Sequence, residues 1–234
     1  MRFIYDRLKS HILLIYGLSI ILYGIMSAVL PDISGVKKGV SISIHTGGKK
    51  TERAVSPLSK NFVFSKKLPK HVAGAIITSE DDGFYAHNGV SLDEMMQAVE
   101  LDIKYRTLKH GGSTITQQLV KNIYLSGERK FTRKIVEAIT AVRLERELSK
   151  EQILDYYLNI AEFGRGIYGI RQASQYYFDK NPQDLTAREA AILAVMLPKP
   201  KARGKALLEA KREEFQKKRV KRLLARMKRQ GYIS

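Results

Sequence analysis

From Ile12 to Leu30 the chain carries no charged residue and is rich in Ile and Leu, a run that as a helix would extend roughly 28 Å, about the hydrocarbon thickness of a bilayer. Further on, Val40-Ser-Ile-Ser-Ile44 alternates with period two, which predicts a short strand, and Gly47-Gly48 and Pro57 break the pattern after it. Beyond Pro69 the apolar positions recur at helical spacing almost to the C-terminus. That spacing predicts helices over 71–80, 91–104, 113–124, 130–147, 150–161, 168–178, 186–197 and 205–230. Three starts carry capping boxes: Ser91 with Glu94, Ser149 with Gln152, and Thr186 with Glu189. The expected organisation is a tail over 1–11, a membrane anchor over 12–30, a stalk over 31–68 and a mainly α domain over 69–234.

Composition changes this picture in two places. At 234 residues, 44% hydrophobic and 27% charged, the chain has enough apolar surface for one sizeable core and is not wholly disordered. It has no cysteine, which rules out disulfides and thiolate metal sites. Arg2, Arg7 and Lys9 precede the apolar run, so the positive-inside rule places the N-terminus in the cytoplasm and the domain outside. The run exceeds the 7–15 residues usual for a signal-peptide core, and no Ala-x-Ala site follows, which favours an uncleaved anchor. Nearly all of the net charge of +18 lies beyond the anchor. Such a domain is drawn to anionic headgroups and phosphate-bearing ligands, while the compartment argues against nucleic acid. Met95 to His110 interleaves apolar and basic residues and reads equally as a core helix ending in a basic turn or as a segment hugging the membrane interface.

Three blocks could carry chemistry. Glu80-Asp81-Asp82 ends an apolar helix just before Gly83, and crowded like charges raise the proton affinity of one member, as a general base requires. Taken alone, such a run is an ordinary solvated helix end. Gly111-Gly112 leads into Ser113-Thr114 at a helix start, where exposed backbone N–H groups suit an anion. The glycine spacing excludes a nucleotide P-loop. Ser113, Gln117 and Lys121 then recur every four residues on one face. Arg133 and Glu137 are also four apart, a pair that in isolation contributes only about 0.3–0.5 kcal/mol. With Lys121, Arg129 and Lys134, however, Arg133 makes a cluster suited to a diphosphate. A base beside such a cluster fits glycosyl transfer from a diphosphate-linked sugar, whose leaving group departs as a stable anion. A glycosidase instead needs a carboxylic acid to protonate its leaving group.

These blocks, in this order, resemble the motifs of the peptidoglycan glycosyltransferases, glycosyltransferase family 51. Glu80-Asp81, Phe84, His87 and Gly89 resemble the first motif, Gly111 to Asn122 the second, and Arg133-Lys134 with Glu137 the third. Ile153-Leu154, Tyr157-Leu158-Asn159 and Phe163-Gly164 resemble the fourth, and Leu185-Thr186, Glu189-Ala190-Ala191 and Leu197-Pro198 the fifth. The resemblance implies a mainly α, lysozyme-like, two-lobed domain behind a transmembrane helix. It implies a polymerase of lipid-linked disaccharide-peptide units at the outer face of the inner membrane. Glu80 matches the general base and Glu137 the second essential carboxylate. Lys121, Arg129 and Arg133 match donor-diphosphate contacts, and Asp81, Phe84, Ser113, Thr114, Gln117 and Asn159 match motif residues expected around the substrate. No metal ligand is assigned, with Mg or Mn the candidate cofactor. Expected partners are the growing glycan strand, the membrane and cell-wall synthesis proteins. The chain ends soon after the last motif, so the monofunctional type is expected. A lysozyme-like cleaving enzyme and a non-catalytic scaffold for anionic lipid are the alternatives.

Overall fold

The structure, a computed structural model, describes residues 9, 11–17, 19, 24, 29–46, 49–93, 95–97, 100, 112–125, 131–198, 200, 204 and 213–234. It divides into two units, Met1–Asp32 and Ile33–Ser234. In the first, residues 11–17 are helical and Ile12 to Tyr16 are exposed. Among the described residues no helix is long and apolar enough to cross a membrane. Much of the run expected to do so, including Leu18, Ile20 to Tyr23 and Ile25 to Ala28, lies outside the described residues.

The second unit is mainly helical, as expected, but it starts earlier. Residues 33–68, read from the sequence as a stalk, pack into the same core as the helices. Strand β1 (Val40–Thr46) pairs antiparallel with β2 (Lys49–Val55), in a register running from Val40 opposite Val55 to Thr46 opposite Lys49. The alternation in β1 shows because one face is buried, whereas β2 is mostly polar and its pairing is dictated by its neighbour. Val36, Ile42, Val55, Phe62, Val63 and Leu68 all enter the core.

Seven helices follow: α1 (Lys70–Glu80), α2 (Ile115–Tyr124), α3 (Phe131–Glu147), α4 (Lys150–Ile160), α5 (Ile170–Phe178), α6 (Ala187–Met196) and α7 (Glu213–Arg229) among the described residues. Ser149 with Gln152 caps α4 and Thr186 with Glu189 caps α6, as their spacing requires. The box expected at Ser91 involves Glu94, which lies outside the described residues, as do 101–111 of the predicted 91–104 helix and its connection and 205–212 of the last helix. A short hairpin, β3 (Glu162–Gly164) with β4 (Ile167–Tyr168), takes the start of the predicted 168–178 helix, so α5 begins at Ile170. Gly169 imposes that break: its φ is +84°, and a Cβ there would lie 2.7 Å from the Asn159 carbonyl oxygen.

Helix α4 is the central post, with every residue from Ile153 to Ile160 buried. Its two buried polar groups are satisfied by the segment before α1. Asn159 accepts from the Val63 N–H at 2.9 Å and donates to the Val63 carbonyl at 2.8 Å, and Asp155 accepts from the Ser65 N–H. On one side α2 packs against α3, α4 and β1; on the other α1 packs against α6 and α7. Val220, Leu223 and Met227 form the buried stripe of α7, three and four residues apart, with its many cations turned away. These contacts hold α1 and α2 so that the C-terminal end of one adjoins the N-terminal end of the other.

Candidate active site

The end of α1 separates three consecutive carboxylates instead of crowding them. Asp81 is the C-cap residue, with φ −167° and ψ 79°, so the chain leaves the helical path there. Asp81 turns inward and is only 2% exposed. It accepts from the Ile115 N–H at 2.8 Å, at the first turn of α2, and from His87 Nε2 at 3.0 Å. A carboxylate at a helix N-terminus satisfies an otherwise orphaned donor and complements the dipole. His87 is oriented from behind, because the Gly89 N–H donates to its Nδ1 and leaves Nε2 as the nitrogen that donates to Asp81. Asp82 turns outward to Arg226, at 2.7 Å. Glu80 turns to neither of these partners and is approached instead by Gln118 of α2.

Thr114 completes the joint. Its hydroxyl donates to the Gly89 carbonyl at 2.6 Å and accepts from the Gln117 N–H, while the Gln117 side chain accepts from the Thr114 N–H. This capping box explains why Gln117 does not share the Ser113 and Lys121 face. As the third residue of α2 it folds back onto the cap and is buried, with its Nε2 lacking a partner among the described residues. Gln118 takes the groove position instead. Its Nε2 donates to Glu80 at 3.1 Å, and its Oε1 accepts from the Tyr157 hydroxyl at 3.0 Å. Burial pushes the Tyr157 phenol well above its ordinary pKa, with Glu80 and Asp81 adding to the effect, so it stays protonated and keeps the amide turned toward Glu80.

Beyond Gln118 opens a cavity of about 380 Å³ edged by Ser113, Gln118, Lys121, Arg133, Lys134 and Glu137. Glu137 is 3% exposed and pairs with Lys134, whose ammonium also donates to the Ser113 hydroxyl at 2.7 Å. Lys121 has a lowered pKa. Burial is the largest cause, Glu137 opposes it, Lys134 and Arg133 reinforce it, and Glu80 opposes it. Lys121 also keeps solvent contact along its side chain, so its desolvation is partial. Glu80 is not itself among the residues that edge the cavity; it is linked to it through Gln118, which donates to Glu80 and edges the cavity together with Glu137. Among the described residues no three carboxylate or imidazole groups converge to hold a metal ion. The groups around Glu137 are cations, a donor set that does not fit a divalent ion.

Several expected substrate contacts lie elsewhere. Phe84 is fully buried, with the Lys150 ammonium 4.6 Å from its ring centre. Thr114, Gln117 and Asn159 are buried, and Asp81 is enclosed as described. In this structure these five build the joint and the core behind the groove and do not line it. Ser113, Lys121 and Arg133 do line it, and Arg129 lies outside the described residues. Gln118 and Tyr157 lie within the second and fourth motifs but were not among the expected site residues. Gln118 could have been found from its i, i+3 relation to Lys121, whereas the partner of the Tyr157 hydroxyl is decided only by the packing of α4 against α2.

Similarity to known proteins identifies the family. The family model described as Transglycosylase matches residues 48–228. Penicillin-binding protein 1F of Bacillus subtilis (strain 168) is 44% identical over 168 residues, 72% of this chain and 23% of that protein. The biosynthetic peptidoglycan transglycosylase of Shewanella frigidimarina (strain NCIMB 400) is 45% identical over 148 residues, 63% of this chain and 65% of that protein. Its namesake in Herminiimonas arsenicoxydans is 41% identical over 144 residues, 62% of each. The chain therefore matches less than two thirds of the length of each of these relatives.

Proposed function

The chain belongs to the transglycosylase family, and from that premise we propose that it is a peptidoglycan glycosyltransferase that joins lipid-diphosphate-linked disaccharide-peptide units into a glycan strand. The observation that supports this best is Gln118, which donates to Glu80 at 3.1 Å and edges the cavity shared by Lys121, Arg133, Lys134 and Glu137. In this reading Glu80, oriented by Gln118, takes the proton of the acceptor 4-hydroxyl as that oxygen attacks the donor's anomeric carbon. The bond from that carbon to the diphosphate breaks on the opposite face, giving a β-1,4 link with inversion. The departing diphosphate carries the electron pair and is received by Lys121, Arg133 and Arg129. These cations stabilise the charge as it develops, so no acid is needed to protonate the leaving group. Glu137 holds Lys134 toward Ser113 and keeps the cationic wall in place. Asp81, His87 and Thr114 are positioning residues that fix α1 against α2.

The lysozyme-like two-lobed arrangement, the Ile12–Leu30 anchor and a catalytic unit outside the inner membrane belong to the same proposal. So do the membrane, the growing strand and other cell-wall synthesis proteins as partners. A cleaving enzyme would need a protonated carboxyl at the leaving oxygen rather than this wall of cations. Glu80→Gln tests the reading. Polymer formation from purified lipid-linked disaccharide should fall by about 10²- to 10⁴-fold, the usual contribution of a general base, with the melting temperature retained. Near-native polymerisation by the variant would remove Glu80 from the mechanism.

A further inference from the structure

A second and larger cavity, of about 670 Å³, lies between β2 and α5, with none of the proposed catalytic residues among its lining. Arg53, Arg171 and Lys180 face it, together with the amides of Asn61, Gln172 and Asn181, and no aspartate or glutamate contributes to its wall. The two guanidiniums are held by backbone carbonyls and not by carboxylates. Arg53 donates to the Asn159 carbonyl at 2.6 Å and to the Tyr168 carbonyl at 3.2 Å, and Arg171 donates to the Asn61 carbonyl at 3.1 Å. Among the described residues neither arginine has an acidic partner. Lys180, in contrast, is neutralised by Glu189 at 2.8 Å.

A half-buried charge without a counter-ion is costly, and burial accordingly lowers the Arg53 pKa. An arginine uses only part of its planar fork on one or two carbonyls, and the remaining N–H groups fit a carboxylate. The cavity is within the 300–1,000 Å³ range of organic-ligand sites and far exceeds what a lone inorganic anion fills. Its amides can pair with peptide N–H and C=O groups, and Tyr176, 55% exposed, offers a ring face at the mouth. We propose that this cavity is a second binding site, taking a carboxylate-bearing peptide chain through Arg53 and Arg171. If the chain polymerises disaccharide-peptide units, the peptide of a unit already in the strand supplies that chemistry; this assignment of source rests on the proposed function, while the site itself does not.

The test is a calorimetric titration of the full chain in detergent, carrying Glu80→Gln so that no turnover occurs. The probes are a disaccharide-peptide, the same disaccharide without its peptide, the disaccharide-peptide with its carboxyls amidated, and inorganic phosphate. The intact disaccharide-peptide should bind in an Arg171-dependent manner, and none of the other three should displace it. Arg171→Gln should weaken binding about tenfold or more, the loss of one charge-assisted pair. Lys37→Met, a surface position paired with Glu147 and absent from the lining of either cavity, should leave it unchanged. Equal binding of the amidated probe, displacement by phosphate at matching concentration, indifference to Arg171→Gln, or no binding at all would each overturn the proposal. A free tetrapeptide that binds as well as the disaccharide-peptide would retain the site and reject the strand as its source. None of these outcomes depends on polymerisation.

Discussion

Replacing Lys121 by methionine separates a binding role from a structural one. The lysine has a lowered pKa, chiefly through burial and then through the balance of Glu137 and Glu80 against Lys134 and Arg133. A base whose pKa falls on folding binds its proton less well in the native state than in the unfolded state. It therefore subtracts from stability below its folded pKa, and the cost is relieved as the pH rises from there toward the ordinary value of about 10.4. An uncharged side chain of similar length removes that cost. At pH 7 the melting temperature should hold or rise slightly, within the roughly 0.5 kcal/mol usual for accessible positions. The ligand sees the opposite. A charge-assisted hydrogen bond to phosphate is worth about 1.5–3 kcal/mol, which corresponds to an affinity loss of about ten- to a hundredfold. Arg133 and Lys134 remain in place, so the lower end is expected. The assay pairs thermal melts with titration of a non-hydrolysable lipid-diphosphate sugar from pH 7 to pH 10. Native affinity should fall on the alkaline side as Lys121 loses its proton, and that limb should be absent in the variant. A melting temperature lowered by several degrees with unchanged affinity would refute the reasoning and make Lys121 structural.

Asp81→Asn leaves one oxygen to serve both the Ile115 N–H and His87, so stability should drop by about 1–3 kcal/mol, read by denaturant titration, and polymerisation should drop with it. Gly89→Ala forces a side chain onto a residue with φ +91° and puts a Cβ 2.8 Å from the Ala141 carbonyl carbon and oxygen; a loss of at least about 2 kcal/mol is expected in the same titration. Deleting residues 1–30 should leave a folded basic protein that still sediments with anionic vesicles and is released by salt, since the domain retains most of the +18 charge.

What could be read from the sequence was whatever depends on neighbours a few residues away. The Ser149 and Thr186 capping boxes and the stretch of α4 are short-range matters of helix geometry, whereas Glu137, expected to face Arg133, pairs with Lys134 instead. The same locality made the ordered motifs, and hence the family, recognisable. Residues 33–68 misled because their apolar side chains are scattered and gain burial from α2 and α4, which lie far along the chain. Adjacent carboxylates likewise carried no label. Glu80, Asp81 and Asp82 differ in role only because α1 ends between them, α2 presents the Ile115 N–H to one and α7 presents Arg226 to another. Gln117 yields its expected place to Gln118 for a similar reason, since the cap at Thr114 claims the first and Tyr157 holds the amide of the second beside Glu80. The sequence by itself determined a mainly helical chain with a basic domain and a family's set of residues. The tertiary structure decided which of those residues meet in the groove and which hold it up, because burial and hydrogen-bond satisfaction are settled between elements and not within them.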